Sequence, residues 1–234
     1  MEVPVADVAV LLSGGLDSAV LTARAAQSGV VQPVYVSAGL AWEAEELALV
    51  SRLLESGPFV ANVLPLVRLG ADVSDIYPET HWARRGEPPA YDTPDEDVYL
   101  PGRNLLLLSR AGVLCGLRGI GRLGIGPLAG NPFPDATPEF FASMARTLSL
   151  GLGRPLTIEA PLSNMHKEDV IRLGASLGVP FELTLSCMKP SGGRHCGLCS
   201  KCRERRDGFA AAGVADPTSY LAPSPRGECR RARL

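Results

Sequence analysis

Val8-Ala9-Val10-Leu11-Leu12-Ser13-Gly14-Gly15-Leu16-Asp17-Ser18-Ala19-Val20 decides the fold. The run begins apolar and β-rich, breaks at Ser13-Gly14-Gly15, and resumes as a helix former from Ala19. That is strand, tight turn, helix. Adjacent glycines open backbone conformations closed to other residues and leave N–H groups bare. Ser13 and Ser18 add hydroxyls, and the following helix turns its positive end toward the loop. Such a turn holds an anion, most simply phosphate or pyrophosphate, with a ligand-free turn as the plainer alternative. No Lys-Ser/Thr closes the loop and no Gly-x-Gly-x-x-Gly is present, which excludes the mononucleotide P-loop and the dinucleotide fingerprint. Asp17 beside a phosphate is repulsive unless it holds Mg²⁺ or caps the turn.

Working outward, apolar segments alternate strand-like and helix-like. Strands are expected near 30–36, 59–66, 122–127 and 156–160, and helices near 18–28, 42–55, 105–117, 138–150, 167–177 and 201–212. This alternation predicts a doubly wound parallel α/β sheet. Residues 1–185 form its expected extent, with a helical cysteine-bearing appendage at 186–220 and a loose tail at 221–234. Between 68 and 99 the periodicity fails, and four prolines and a cluster of acids suggest a lid or substrate loop holding a short helix.

The chain has 234 residues, 23 basic and 25 acidic, for a formal net charge of -2, so no global field invites nucleic acid. Apolar residues make up 46%, enough for a sizeable core despite 25 glycines and 20 prolines. The start shows no signal-like segment and no apolar run is long enough to span a bilayer, so a cytoplasmic protein is expected. Six cysteines stand at 115, 187, 196, 199, 202 and 229. Cys196-x-x-Cys199-x-x-Cys202 with Cys187 upstream reads as an S₄ metal site, typically structural zinc, with an iron–sulfur cluster or sulfur carriage as alternatives. Cys115 reads as a core residue. Lys167 opens a helix against the helix field, which an anion within its reach would explain. Arg103 follows a Pro-Gly turn and has a similar case. Asp135 and Glu139 offer carboxylates for the N–H groups of a base-like substrate. His81 and His166 have no visible acid–base partner.

Ser13-Gly14-Gly15-Leu16-Asp17-Ser18 resembles the signature loop of the PP-loop ATP pyrophosphatases, and Lys167-Glu168-Asp169-Val170-Ile171-Arg172-Leu173-Gly174 resembles their second phosphate-contacting segment. A closer resemblance is to the 7-cyano-7-deazaguanine (preQ0) synthase family of queuosine biosynthesis. It rests on Pro101-Gly102-Arg103-Asn104, on Asn131-Pro132-Phe133-Pro134-Asp135-Ala136-Thr137-Pro138-Glu139-Phe140, on the run 177–184 and on the four cysteines. The resemblance implies an ATP- and Mg²⁺-dependent carbon–nitrogen ligase, commonly dimeric, with structural Zn²⁺ on Cys187, Cys196, Cys199 and Cys202. It implies adenylation of 7-carboxy-7-deazaguanine, reaction with ammonia to the amide, a second adenylation, and elimination to the nitrile. Ser13, Gly14, Gly15, Leu16, Asp17, Ser18 and Lys167 would bind ATP, and Asp17, Lys167 and Arg103 would carry catalysis. Arg103, Asn104, Asp135 and Glu139 would bind the 7-deazapurine.

The chain departs from that family after the second strand, where Ser37-Ala38-Gly39-Leu40-Ala41-Trp42-Glu43-Ala44-Glu45-Glu46 lacks the aromatic, glutamine and basic groups usual there. It also departs at 77–82, and at Ala136, where cysteine is common. These departures leave open a paralogue that stops at the amide or joins another amine. A tRNA-modifying adenylating enzyme and a non-catalytic nucleotide-binding partner protein are the other classes.

Overall fold

The computed structural model describes residues 5–226, the side chain of Asp95 excepted. Five parallel strands form one sheet in the order β3-β2-β1-β4-β5: β1 (Val8–Leu11), β2 (Val31–Ser37), β3 (Val67–Gly70), β4 (Arg122–Gly124) and β5 (Thr157–Glu159). The chain winds outward from β1 to β2 and β3, then returns to place β4 and β5 on the other side. The direction reverses between β1 and β4, and ligands enter such sheets at the crevice outside the strand C-termini at that point.

The sheet is covered on both faces, as a parallel sheet requires. In β1 the alternation is visible residue by residue. Val8 and Val10 join one core with α1 (Leu16–Ala26), α6 (Lys167–Ser176) and Phe209 of α7 (Ser200–Ala212). Ala9 and Leu11 join the other with α4 (Arg103–Arg118) and α5 (Pro138–Leu152). A third cluster, away from the sheet, unites Leu49 of α2 (Glu43–Leu54) and its N-cap residue Trp42 with Val73, Tyr77, Ala83, Val98 and Leu100 and with the cysteine segment. Cys115 is fully buried in the second core, where burial pushes its thiol up to about 12.

The third strand lies at 67–70 rather than 59–66. Pairing with β2 begins at a single Val31–Val63 bridge, and the strand forms only beyond Pro65, a residue that cannot donate to a ladder. The region 68–99 holds one turn of helix, α3 (Trp82–Arg85), capped by the His81 ring, which accepts from the Ala83 N–H at 3.2 Å. It packs through Ala90 onto Cys199.

The last helix differs from the solvated surface its charges suggest. Its Arg205 side chain is 1% exposed and donates to Thr218 Oγ1, Thr184 Oγ1, Ser186 Oγ and the Phe181 carbonyl at 2.6–3.2 Å. A guanidinium with an acceptor at each of its three nitrogens is buried at acceptable cost, which a charge count does not register. Residues 219–222 are tied to this unit, with His195 N–H donating to Ser219 and Arg206 to Ala222. Residues 227–234 of the expected tail, Cys229 among them, lie outside the described residues. No helix among the described residues is long and apolar enough to cross a membrane.

Close packing of α6 on α1 depends on Gly174, where a Cβ would lie 2.6 Å from Val20 and 2.7 Å from Phe181. Gly174→Ala is therefore expected to destabilise the fold by about 1–3 kcal/mol. Gly151→Ala, in helix α5 with open space around it, should stabilise by roughly 0.5 kcal/mol. Urea unfolding of both variants checks the pair, with the midpoint moving in opposite directions.

Candidate active site

The loop at the end of β1 is built around Gly14. Its φ of 81° suits glycine, and a Cβ there would come within 2.6 Å of Val50. The Gly14 carbonyl accepts from Leu185 N–H at 2.8 Å, so the loop is pinned to the segment leading into the cysteines. Ser13 Oγ accepts from Gly15 N–H at 3.3 Å, and Ser18 Oγ donates to the Gly15 carbonyl at 2.9 Å. Helix α1 starts with no side chain capping its first turn, so its leading N–H groups face the crevice.

Asp17 is neither a turn cap nor an isolated repulsive charge. Both its oxygens accept from Lys167 Nζ, at 2.8 and 2.7 Å. The same ammonium reaches Glu204 of α7 at 2.7 Å, and Glu204 reaches Lys201 at 2.6 Å. Burial alone would lower the Lys167 pKa, but Asp17 and Glu204 outweigh it and raise it. Burial pushes the Glu204 carboxyl up, yet Lys167 and Lys201 prevail and hold it at about 2.

The loop divides a cleft into two lobes. One, about 260 Å³, is lined by Leu11, Tyr35, Val36, Glu43, Asn104 and Ile125. The other, about 280 Å³, is lined by Trp42, Trp82, Leu100, Lys167, Met188 and Glu204. Ser13, Gly15, Asp17, Glu46, Arg103, Asn131 and Phe133 border both, so they stand at the junction. Arg103 Nε is buried there without a hydrogen-bond partner. Such a group in a cleft wall fits an anionic ligand.

Of the residues expected to act, the structure brings Ser13, Gly15, Asp17, Ser18, Arg103, Asn104 and Lys167 to this cleft. Leu16 lines the second lobe, and Gly14 shapes the loop from behind. Asp135 and Glu139 do not line either lobe. The Asp135 carboxylate accepts from Asn104 N–H at 3.0 Å, and Asn104 Nδ2 donates to the Asp135 carbonyl at 3.0 Å, so both side chains secure the start of α4. Glu139 is exposed in the first turn of α5. His166 is the N-cap of α6, its N–H donating to Asp169 at 3.2 Å.

Trp42, Glu46, Tyr35 and Glu204 were not foreseen. Trp42 stacks on Trp82 with centroids 5.8 Å apart, and Ala41 N–H donates to Ala83 O, joining the two segments that depart from the family pattern. Glu43 is spent on that turn, accepting from Ala38 N–H at 2.7 Å and Ser37 Oγ at 2.5 Å. Acids 43, 45 and 46 look alike at a helix start, and only their neighbours separate their tasks.

Beside the second lobe, the Sγ atoms of Cys187, Cys196, Cys199 and Cys202 lie within 4.8 Å of one another. A tetrahedral zinc with bonds of about 2.3 Å needs sulfur–sulfur edges of roughly 3.8 Å. The Cys196–Cys202 and Cys199–Cys202 separations are 3.9 and 3.5 Å. Cys187 Sγ also accepts from Lys189 and Cys196 N–H groups, both at 3.2 Å, the backbone support that anionic sulfur requires. His195 stands outside the cluster: its Nε2 accepts from Ser186 N–H at 3.0 Å, and burial lowers its pKa to about 3.

The family model of queuosine biosynthesis protein QueC matches residues 7–213. This chain belongs to the QueC family. The 7-cyano-7-deazaguanine synthase of Methanothrix thermoacetophila is 35% identical over 219 residues, 90% of this chain and 96% of that one. The enzymes of the same name from Pseudomonas savastanoi pv. phaseolicola and an Anaeromyxobacter species are each 36% identical, covering 91% of this chain and 95% of theirs. A solved structure described as a predicted subunit of a tRNA methyltransferase from Methanocaldococcus jannaschii overlays with a TM-score of 0.48 at 14% identity, covering 92% of this chain and 91% of that one, and carries no functional weight. The matched region takes in both the glycine turn and the metal-competent cysteine cluster.

Two outcomes are expected. Purified protein carries one tightly held metal per chain; Cys199→Ser loses it and lowers the melting temperature, while Cys115→Ser keeps it, as metal analysis after dialysis will read. The Glu204 carboxyl is held below its unfolded value of about 4.3. Its contribution is therefore full above that value and lost as pH falls toward 2. Glu204→Gln should flatten the acid limb of stability across that window in pH-dependent unfolding.

Proposed function

We propose that the chain is an ATP-dependent 7-cyano-7-deazaguanine synthase that adenylates 7-carboxy-7-deazaguanine and converts it through the amide to the nitrile, releasing AMP and pyrophosphate. The observation that carries this is the cleft itself. An anion-ready turn, a lysine held at its mouth and an unpartnered Arg103 converge at the junction of two lobes, in a chain whose relatives bear that name.

A carboxylate does not exchange oxygen for nitrogen unaided, because oxide is too poor a leaving group. Adenylation replaces it with AMP. In this reading adenine occupies the lobe lined by Leu11, Tyr35 and Ile125, and the heterocycle occupies the lobe walled by Trp42 and Trp82. The α-phosphate then lies between them, against Arg103. The amides of residues 14–18 and the Lys167 ammonium receive the charge that develops on pyrophosphate. Asp17, partly exposed beside the loop, is the carboxylate that would hold Mg²⁺, which screens the phosphate charge when bound. Zinc at the four cysteines is structural in this account: the cluster anchors the segment 185–188 that walls the second lobe.

Mass spectrometry of a reaction with ATP, Mg²⁺, 7-carboxy-7-deazaguanine and ammonium is expected to give the nitrile with AMP. Amide alone would move the reading to a sister ligase, and no AMP would refute it. Lys167→Ala should slow AMP formation by roughly 10²–10³-fold, the scale for losing one preorganised charge contact.

A further inference from the structure

We infer that Glu46 is the proton acceptor for the incoming ammonium in the amination step, an assignment that rests on the reaction proposed above. The argument begins with position. A bond between a nucleotide in one lobe and a heterocycle in the other must form at the junction. Glu46, Asp17 and Arg103 are the titratable side chains that border both lobes. Asp17 is held by Lys167. Arg103 is a cation in a site that needs a proton acceptor. That leaves one carboxylate.

The surroundings of Glu46 suit the task. Its Oε2 accepts from the Tyr35 hydroxyl of β2 at 2.8 Å, which fixes the carboxyl in the wall of the cleft. Tyr35 stays a phenol, since burial and the neighbouring Glu46 and Glu43 raise its pKa. Around Glu46 stand Glu43 one turn earlier on α2, Tyr35 from β2, Arg103 from α4 and the Trp42 indole. Burial raises the Glu46 pKa and Glu43 adds to it. Arg103, Tyr35 and Trp42 offset part, leaving it at about 7. A general base works best with a pKa near the working pH.

The step balances without an added reagent. Glu46 carboxylate takes one proton from ammonium. The freed lone pair attacks the acyl carbon of the adenylate, forming the C–N bond. The acyl C–O bond to phosphate breaks and AMP departs with that electron pair. A second N–H proton passes to water, giving the neutral amide, and Glu46 returns its proton to solvent.

Adenylation and amination can be measured apart, through ATP–pyrophosphate exchange and through amide plus nitrile formation. In Glu46→Gln, exchange with 7-carboxy-7-deazaguanine should stay within about threefold of the parent protein. Amination should fall roughly 10²-fold, within the usual range for loss of a general base. The ratio of parent to variant amination rates should itself decline below pH about 7, where Glu46 is protonated in the parent, because free ammonia changes equally for both. Tyr35→Phe removes a hydrogen bond that favours the Glu46 carboxylate, so the acid limb of amination should move to higher pH. Unchanged amination in Glu46→Gln, or exchange falling in parallel with it, would overturn the assignment. No exchange in the parent protein would instead overturn the proposed reaction, and this assignment with it.

Discussion

One ammonium group holds three parts of this molecule in register. Lys167 opens α6, takes both oxygens of Asp17 in α1, and takes Glu204 from α7, the helix whose first turn carries Cys202. A buried cation is costly unless its partners are well placed. Here two carboxylates meet it at 2.7–2.8 Å, and Lys201 balances the second of them. The arrangement fixes the mouth of the glycine turn and couples the helix of the cysteine unit to α1 and α6. It also answers the problem Asp17 poses at an anion-ready turn: Lys167 offsets the charge of its carboxylate.

Around that ion group the cleft is made by convergence from distant segments. The turn after β1 supplies donors, α4 supplies Arg103, α2 with its N-cap supplies Trp42 and Glu46, and the cysteine segment closes one wall through Leu185 and Met188. Arg205 holds the 181–186 stretch from behind through three hydrogen-bond partners, Thr184, Ser186 and the Phe181 carbonyl. The cysteine cluster therefore bears on the cleft through geometry: it anchors the segment on which the second lobe depends.

The parts legible in the sequence were those whose chemistry has few alternatives. Ser13-Gly14-Gly15 followed by a helix leaves little besides an anion-ready turn, and four cysteines at that spacing have few uses other than a metal. Alternating strands and helices gave the sheet, but β3 was misplaced because apolar content marked 59–66 while Pro65 and the register with β2 put the ladder at 67–70. The charges of the last helix suggest a solvated face, but a charge count cannot see the four acceptors that bury Arg205. Asp135 had a turn-like setting compatible with substrate binding, yet its carboxylate faces Asn104. Glu46 was hidden among three acids at one helix start, and only the tertiary structure turns one of them to the junction.

The central claim is that the substrate carboxylate attacks the α-phosphorus of ATP in this cleft. Oxygen tracing reads that bond directly. With 7-carboxy-7-deazaguanine carrying ¹⁸O in both carboxylate oxygens, the account predicts one labelled oxygen in each of the two AMP molecules formed per nitrile and none in inorganic phosphate or pyrophosphate. Label in inorganic phosphate alongside ADP would mean attack at the γ-phosphorus, and would contradict the assignment of the turn, Lys167 and Arg103 made here.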